Sequence, residues 1–254
     1  KEVCTVLDFI GHAHANFRFD TRYRAIVGGT RRELVEHVES GFPALPAGCF
    51  IHLDAMAQSA VLENIRKVVG GKQAALAEEL RTMAADGEPT MRAFLDRTGT
   101  DLEDLYAKDC SWTALRRRAG LHTRAADDED KVLERALSRM LHIDDDRLER
   151  FTALLDVATP PAANPDDPYQ RLLYVAFGQM RQSFDALASF WSTLWQRPWL
   201  REEAIALLAI LRDRRRHLFG PLPSPLSDVA LRLHATYSRD EIFAAFDERN
   251  KNGG

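Results

Sequence analysis

Apolar residues follow two rhythms along this chain. Val3 to Ile10 (VCTVLDFI) is a nearly unbroken β-branched and apolar run ending at Gly11, the pattern of a buried strand. No second run of that strength follows. A strand buried on both faces needs neighbours, so residues 1–10 read as the remnant of a preceding domain whose sheet lies outside this sequence. From there the spacing is helical. Thr30-Arg-Arg-Glu33 forms a capping box ahead of Leu34, Val35 and Val38, and Gly41-Phe42-Pro43 stops that helix. Cys49 to Leu53 reads as a short extended piece. Asp54 caps a helix carrying Met56, Val61, Leu62, Ile65 and Val68, and Gln73 to Ala85 predicts another, completing a helical connector over 11–86.

Gly87-Glu-Pro89 breaks the pattern, and a compact three-helix unit, similar to a helix-turn-helix, is predicted over 87–122. Thr90 opens its first helix, which Gly99 closes. Thr100-Asp-Leu-Glu103 has the form of a second capping box. Ser111 caps the third helix, with Trp112, Leu115 and Ala119 inward and Gly120 as its stop. A helical bundle over 127–235 follows. Asp127 to Asp130 and Asp144 to Asp146 each place negative charge at the positive end of a helix, reaching Leu141 and Val157 respectively. After a Pro-rich linker, Thr159 to Pro168, an apolar stripe runs from Tyr169 through Leu172, Phe184 and Trp191 to Trp195. Another helix spans Arg201 to His217. Ser238-Arg-Asp-Glu241 is a further capping box, leading into Ile242, Phe243 and Phe246 and marking 236–254 as the start of a next domain. The predicted fold is all-α: a multi-helix assembly containing the three-helix unit, with one or two short strands near the N-terminus.

Composition narrows the classes. At 254 residues, 45% hydrophobic and 28% charged, the chain has the profile of an ordinary globular protein with room for a substantial core. Its longest apolar stretch, Ala204 to Leu211, is too short to span a membrane. Three widely spaced cysteines, Cys4, Cys49 and Cys110, suit a reduced, cytoplasmic compartment. The net charge of −4 leaves function to local patterning.

Few residues offer chemistry. His12-Ala-His14 follows a strand as metal-ligand pairs do, but a barrel-type hydrolase needs further ligands on later strands, and the remaining histidines (His37, His52, His122, His142, His217, His234) lack ligand spacing. Gly70-Gly-Lys72 falls short of a phosphate loop: Gln73 stands where the hydroxyl residue is needed, and a helix precedes it. Cys110 has no histidine partner nearby and no G-x-S-x-G elbow occurs, so no catalytic or metal-ligating residue is assigned. The remaining candidates are basic. Arg116, Arg117 and Arg118 end the third helix of the three-helix unit, where a recognition helix could meet phosphates, although Asp101, Glu103 and Asp104 on the preceding helix oppose this. Arg214 and Arg215 end a second helix and form a weaker candidate. Trp199, beyond Pro198, is the one tryptophan expected to be exposed.

Four segments carry a resemblance. VLDFIGHAHANFRFDTRYRAIVGG (6–29) and GFPALPAGCFIHLDAMAQSAVLENIR (41–66), with TDLEDLYAKDCSWTALRRRAGL (100–121) and LHATYSRDEIFAAF (233–246), resemble the region after the second RecA-like domain of bacterial superfamily II (DEAD/DEAH-type) DNA helicases. The resemblance implies an accessory region that contacts DNA and couples the motor to a carboxy-terminal domain. ATP and Mg²⁺ would be bound by the parent protein's motor, with no cofactor in this chain. The family's phosphate-binding, acidic and arginine motifs have no counterpart here, so none of its catalytic residues is carried over. The rival reading is a helical protein-interaction scaffold without nucleic-acid binding, exposing an apolar patch near Trp199 or Phe17–Phe19.

Overall fold

The structure is a computed structural model that describes residues 19–43, 45, 49–68, 73–178, 184–215 and 218–246. The strand expected over Val3–Ile10, together with His12, His14, Phe17 and Gly70-Gly-Lys72, lies outside the described residues. Thirteen α-helices and two two-residue strands are present among those described, an all-α fold.

Three helices form a small first cluster: α1 (Phe19–Val27), α2 (Arg31–Ser40) and α3 (Ala55–Val68). They enclose Phe19, Tyr23, Leu34, Val38, Val61 and Ile65. The local signals act as the sequence suggests. Thr30 and Glu33 close a reciprocal capping box, Gly41 ends α2 in the left-handed region, and Asp54 Oδ1 accepts from the Ala57 amide. Cys49 to Leu53 has no regular structure, so the expected extended piece is absent.

A second, larger core begins at α4 (Gln73–Met83). It continues through α5 (Met91–Thr98), α6 (Leu102–Leu105), α7 (Trp112–Arg118), α8 (Asp128–Leu137), α9 (Arg147–Leu155), α10 (Pro168–Ala176), α11 (Leu187–Trp195), α12 (Pro198–Arg214) and α13 (Arg239–Ala245). Gly220–Pro221 (β1) and Arg232–Leu233 (β2) pair antiparallel between α12 and α13, so the short strands sit in the C-terminal third. One hydrophobic cluster runs from Leu76 to Ala245. It crosses the boundaries expected at 86–87, 122–127 and 236. The apolar division falls between α3 and α4, and α13 packs on α10.

A buried carboxylate helps to join the three-helix unit to this body. Glu203 of α12 is buried. Its Oε1 accepts from the Trp112 amide at 2.7 Å and from the Tyr106 hydroxyl at 2.8 Å, and its Oε2 accepts from the Thr113 amide at 2.8 Å. The N-terminus of α7 is therefore capped twice, by Ser111 through the Ala114 amide and by a side chain about ninety residues away in sequence. The capping box expected from Thr100 and Glu103 does not form. Asp101 is the N-cap of α6 and makes no side-chain cap bond, Thr100 Oγ1 accepts from Thr98 Oγ1, and Glu103 pairs with Arg214.

Glu203→Ala should destabilise the chain by about 3 kcal/mol, because two amides and a hydroxyl are left buried without an acceptor, and Glu203→Gln by less. Urea denaturation of the two variants beside the wild-type protein measures this; a Glu203→Ala variant as stable as wild type would remove Glu203 as the anchor.

Candidate nucleic-acid interface

The end of α7 gathers cations, and most of them are already occupied. Arg116 pairs with Glu88 at 2.6 Å, and Arg117 pairs with Glu134 at 2.7 Å while donating to the Arg124 carbonyl at 2.8 Å. Arg118 is exposed and has no carboxylate partner among the described residues, its Nη1 lying 3.9 Å from the Cys110 sulfur. Arg81 of α4 donates to the carbonyls of Arg118 and Ala119, adding a guanidinium where α7 presents its negative dipole end. On α12, Arg214 pairs with Glu103 at 3.4 Å. Arg215 pairs with Glu149 at 3.0 Å and stacks on Phe219. Four of the five arginines singled out by sequence are thus in intramolecular ion pairs. The Arg214–Arg215 and Arg116–Arg118 groups sit on different helices, each answered by its own carboxylates.

The opposite end of α7 is closed. A recognition helix reads bases through its N-terminal residues. Here Trp112 and Thr113 are buried, and Glu203 covers their amides. Only the C-terminal turn of α7 can face a ligand. Trp199, expected outside the core, is half-buried beneath Arg124, whose guanidinium lies 4.4 Å from the ring centroid; His122 packs beside it at 5.7 Å. Burial, with Arg117 and Arg116 alongside, holds the His122 imidazole below its ordinary pKa. Phe19 is buried, so neither described part of the expected apolar patch is open.

The acidic runs do more than favour helix starts. Asp127 and Asp130 form a reciprocal capping box on α8, and both also accept from Arg197, with the Arg197–Asp130 pair at 2.7 Å. Asp144 to Asp146 do precede α9, yet Asp146 makes no side-chain cap bond there. Asp145 Oδ1 accepts from the Arg147 amide at 3.1 Å, and the three carboxylates also fasten the segment before α13. Asp144 accepts from the Thr236 amide and hydroxyl, Asp145 accepts from the Tyr237 hydroxyl, and Asp146 pairs with Arg232 at 2.7 Å. At the centre Arg147, fully buried, bonds Asp145 at 2.7 Å and Glu241 at 2.6 Å, with Tyr237 stacked on its guanidinium. These partners hold Arg147 above its ordinary pKa although burial works the other way. Burial also pushes Glu241 toward a higher value, but the bond from His142, the charge of Arg147 and the Ser238 amide outweigh it and hold the carboxyl at about 2.

Nothing among the described residues completes a catalytic or metal centre. No group of three potential metal ligands converges. Cys110 is buried and its thiol is raised to about 11, chiefly by burial, the reverse of an activated nucleophile. Two surface depressions among the described residues are shallow. One, about 460 Å³, is lined by Ser59, Leu62, Glu63 and Arg66; the other, about 340 Å³, lies between Pro160–Pro161 and Trp191–Trp195. No described helix is long and apolar enough to cross a membrane.

Because Glu241 is held at about 2 rather than the ordinary 4.5, its ionisation stabilises the fold above about pH 4.5, and this contribution fades as pH falls toward 2. It is worth about 3 kcal/mol, and Glu241→Gln should flatten the fall in melting temperature between about pH 5 and 2. Thermal unfolding across that range checks it, a parallel acid profile in the variant being the contrary result. No family model matches the chain, and no curated protein or solved structure does either.

Proposed function

We propose that the chain is a non-catalytic accessory region of a superfamily II helicase-like ATPase, a cytoplasmic enzyme, coupling the ATP-driven motor to a carboxy-terminal domain and contacting DNA. The observation that carries the coupling role is the joint between the two hydrophobic clusters. Three arginines of the first cluster reach onto the second. Arg24 donates to the Asp96 and Arg97 carbonyls, and Arg32 pairs with Asp104. Arg31, buried, bonds Asp20 at 3.2 Å and Glu79 at 3.0 Å, while its amide donates to the Gly99 carbonyl. Gly99 suits this contact. Its φ of +66° suits glycine, and the Arg24 guanidinium occupies the place a Cβ would take. Directional bonds of this kind fix orientation as well as distance, so displacement of the first cluster is passed to the body. ATP and Mg²⁺ belong to the motor in this reading, and DNA contact is assigned to Arg118 with Arg116 and Arg117 beside it. Arg214 and Arg215 are a secondary contact.

The second reading, a scaffold for protein partners without nucleic-acid binding, is favoured by the ion pairs that already hold Arg116, Arg117, Arg214 and Arg215.

Fluorescence anisotropy with forked and duplex DNA over a salt series separates the two. The DNA-contacting reading expects salt-dependent binding whose log–log slope is reduced by about 3 in Arg116/Arg117/Arg118→Ala and by about 1 in Arg118→Ala alone. Absence of salt-dependent binding supports the scaffold; binding with an unchanged slope moves the site elsewhere. For the joint, Arg31→Met should speed amide hydrogen exchange in α1 and α2 while leaving α9 to α12 protected, since removing one partner of a buried pair costs about 3 kcal/mol locally. Unchanged exchange in α1 and α2 would argue against rigid coupling.

A further inference from the structure

The turn that follows α7 brings together two polar atoms that nothing answers. His122 Nε2 and Trp199 Nε1 are both buried, and neither has a hydrogen-bond partner among the described residues. Their rings pack at 5.7 Å, and the exposed Arg124 lies over the Trp199 ring at 4.4 Å. The charged groups facing His122 come from each element around it. Arg116 and Arg117 belong to α7, Arg124 to the α7–α8 connection and Glu134 to α8, while α12 contributes the uncharged Trp199. The carboxylate among them, Glu134, is already held by Arg117 at 2.7 Å. A proton arriving on His122 in place meets two obstacles: positive neighbours, and a buried N–H without an acceptor. The position against Trp199 therefore suits the neutral ring.

We propose that His122 is the proton-carrying member of a phosphate site at the end of α7, where an anionic phosphate held by Arg116–Arg118 is bound together with a proton taken up by His122. The proposal rests on the phosphate-contacting reading of these arginines. A phosphate lifts both obstacles. Its charge offsets the guanidinium groups around the ring, and its oxygens accept from the protonated imidazole once that turns away from Trp199. Arg118, without a carboxylate partner among the described residues, supplies an uncommitted guanidinium. The Trp199 indole N–H, the other unanswered donor, lies beside the same ring. Binding and protonation are then linked. An anion that strengthens the hold of His122 on a proton must itself bind more tightly when that proton is present. Affinity therefore rises as pH falls through the histidine range, ordinarily centred near about 6.5.

Histidine-selective NMR titration of the whole chain reads His122 directly, its resonance being identified by loss in His122→Gln. The titration is run alone, with inorganic phosphate and with duplex DNA, against chloride at matched ionic strength. The expected result is a His122 midpoint that rises with either ligand. DNA binding at constant salt should tighten at least about fivefold from about pH 8 to about pH 5.5. His122→Gln should lose most of that gain, with circular dichroism showing the fold retained at both pH values. A midpoint raised by inorganic phosphate in a chain that binds no DNA keeps the phosphate site and removes DNA as its ligand. DNA binding whose salt slope depends on Arg116–Arg118 while the His122 midpoint stays fixed overturns the proton linkage and leaves the DNA contact standing. A midpoint unmoved by both ligands overturns the proposal.

Discussion

A carboxylate with no water around it must be answered by donors, and Glu203 is answered by three from a different part of the chain. Burial raises its pKa, while the Thr113 and Trp112 amides and the Tyr106 hydroxyl oppose that rise. The consequence is architectural. Helix α7 starts where Glu203 can reach its open amides, which sets the position of α7 against α12. Helix α4 packs on α7 and α5, and α5 on α12, so the three-helix unit shares the main apolar core. The same constraint closes the end of α7 that would otherwise face a DNA groove. This buried interaction therefore bears both on how α7 meets α12 and on which turn of α7 is available to a ligand.

The pattern recurs with the sign reversed. Arg31, Arg147 and Arg197 each place a guanidinium inside the protein and answer it with two acidic side chains. Arginine suits this because its planar fork satisfies several acceptors at fixed angles. Such cross-links add little net stability compared with a well-packed apolar replacement, yet they are costly to break on one side. They specify which elements meet. Asp144 to Asp146 hold the ribbon before α13, and Arg197 holds the α11–α12 corner to the start of α8, so long-range connections in this chain are largely polar while the helices between them are packed by leucine and aromatic residues.

Helix content was legible in the sequence because it rests on local signals. Thr30, Ser111 and Ser238 cap as their spacing suggests, and Gly41 and Gly99 end helices in the left-handed region. Domain limits were not legible, since Gly87-Glu-Pro89 and the Pro-rich linker interrupt helices without interrupting the core. The ion pairing of the arginines was not legible for a related reason. A run of three arginines looks solvated along one helix, and the carboxylates that meet Arg116 and Arg117 come from residues 88 and 134. A signal for Glu203 was present. It stands three residues after Leu200 and four before Leu207, on the apolar stripe of α12, where a charged residue must find partners. Arg147 sits four residues before Phe151 in the same way.

A helix whose charged residue is buried and whose phenylalanines are exposed cannot be understood from its own hydrophobic pattern. In α13 the buried partner is fixed first. Arg147 needs Glu241, and the close approach that brings them together admits only alanine beside it on the inner face. The large apolar residues are then confined to the outer face, where their exposure costs roughly 25 cal/mol for each Å² left in water. The polar cross-link and the open apolar face are two sides of one constraint. The Arg147 network that ties α9 to α13 thereby decides which face of α13 is turned outward.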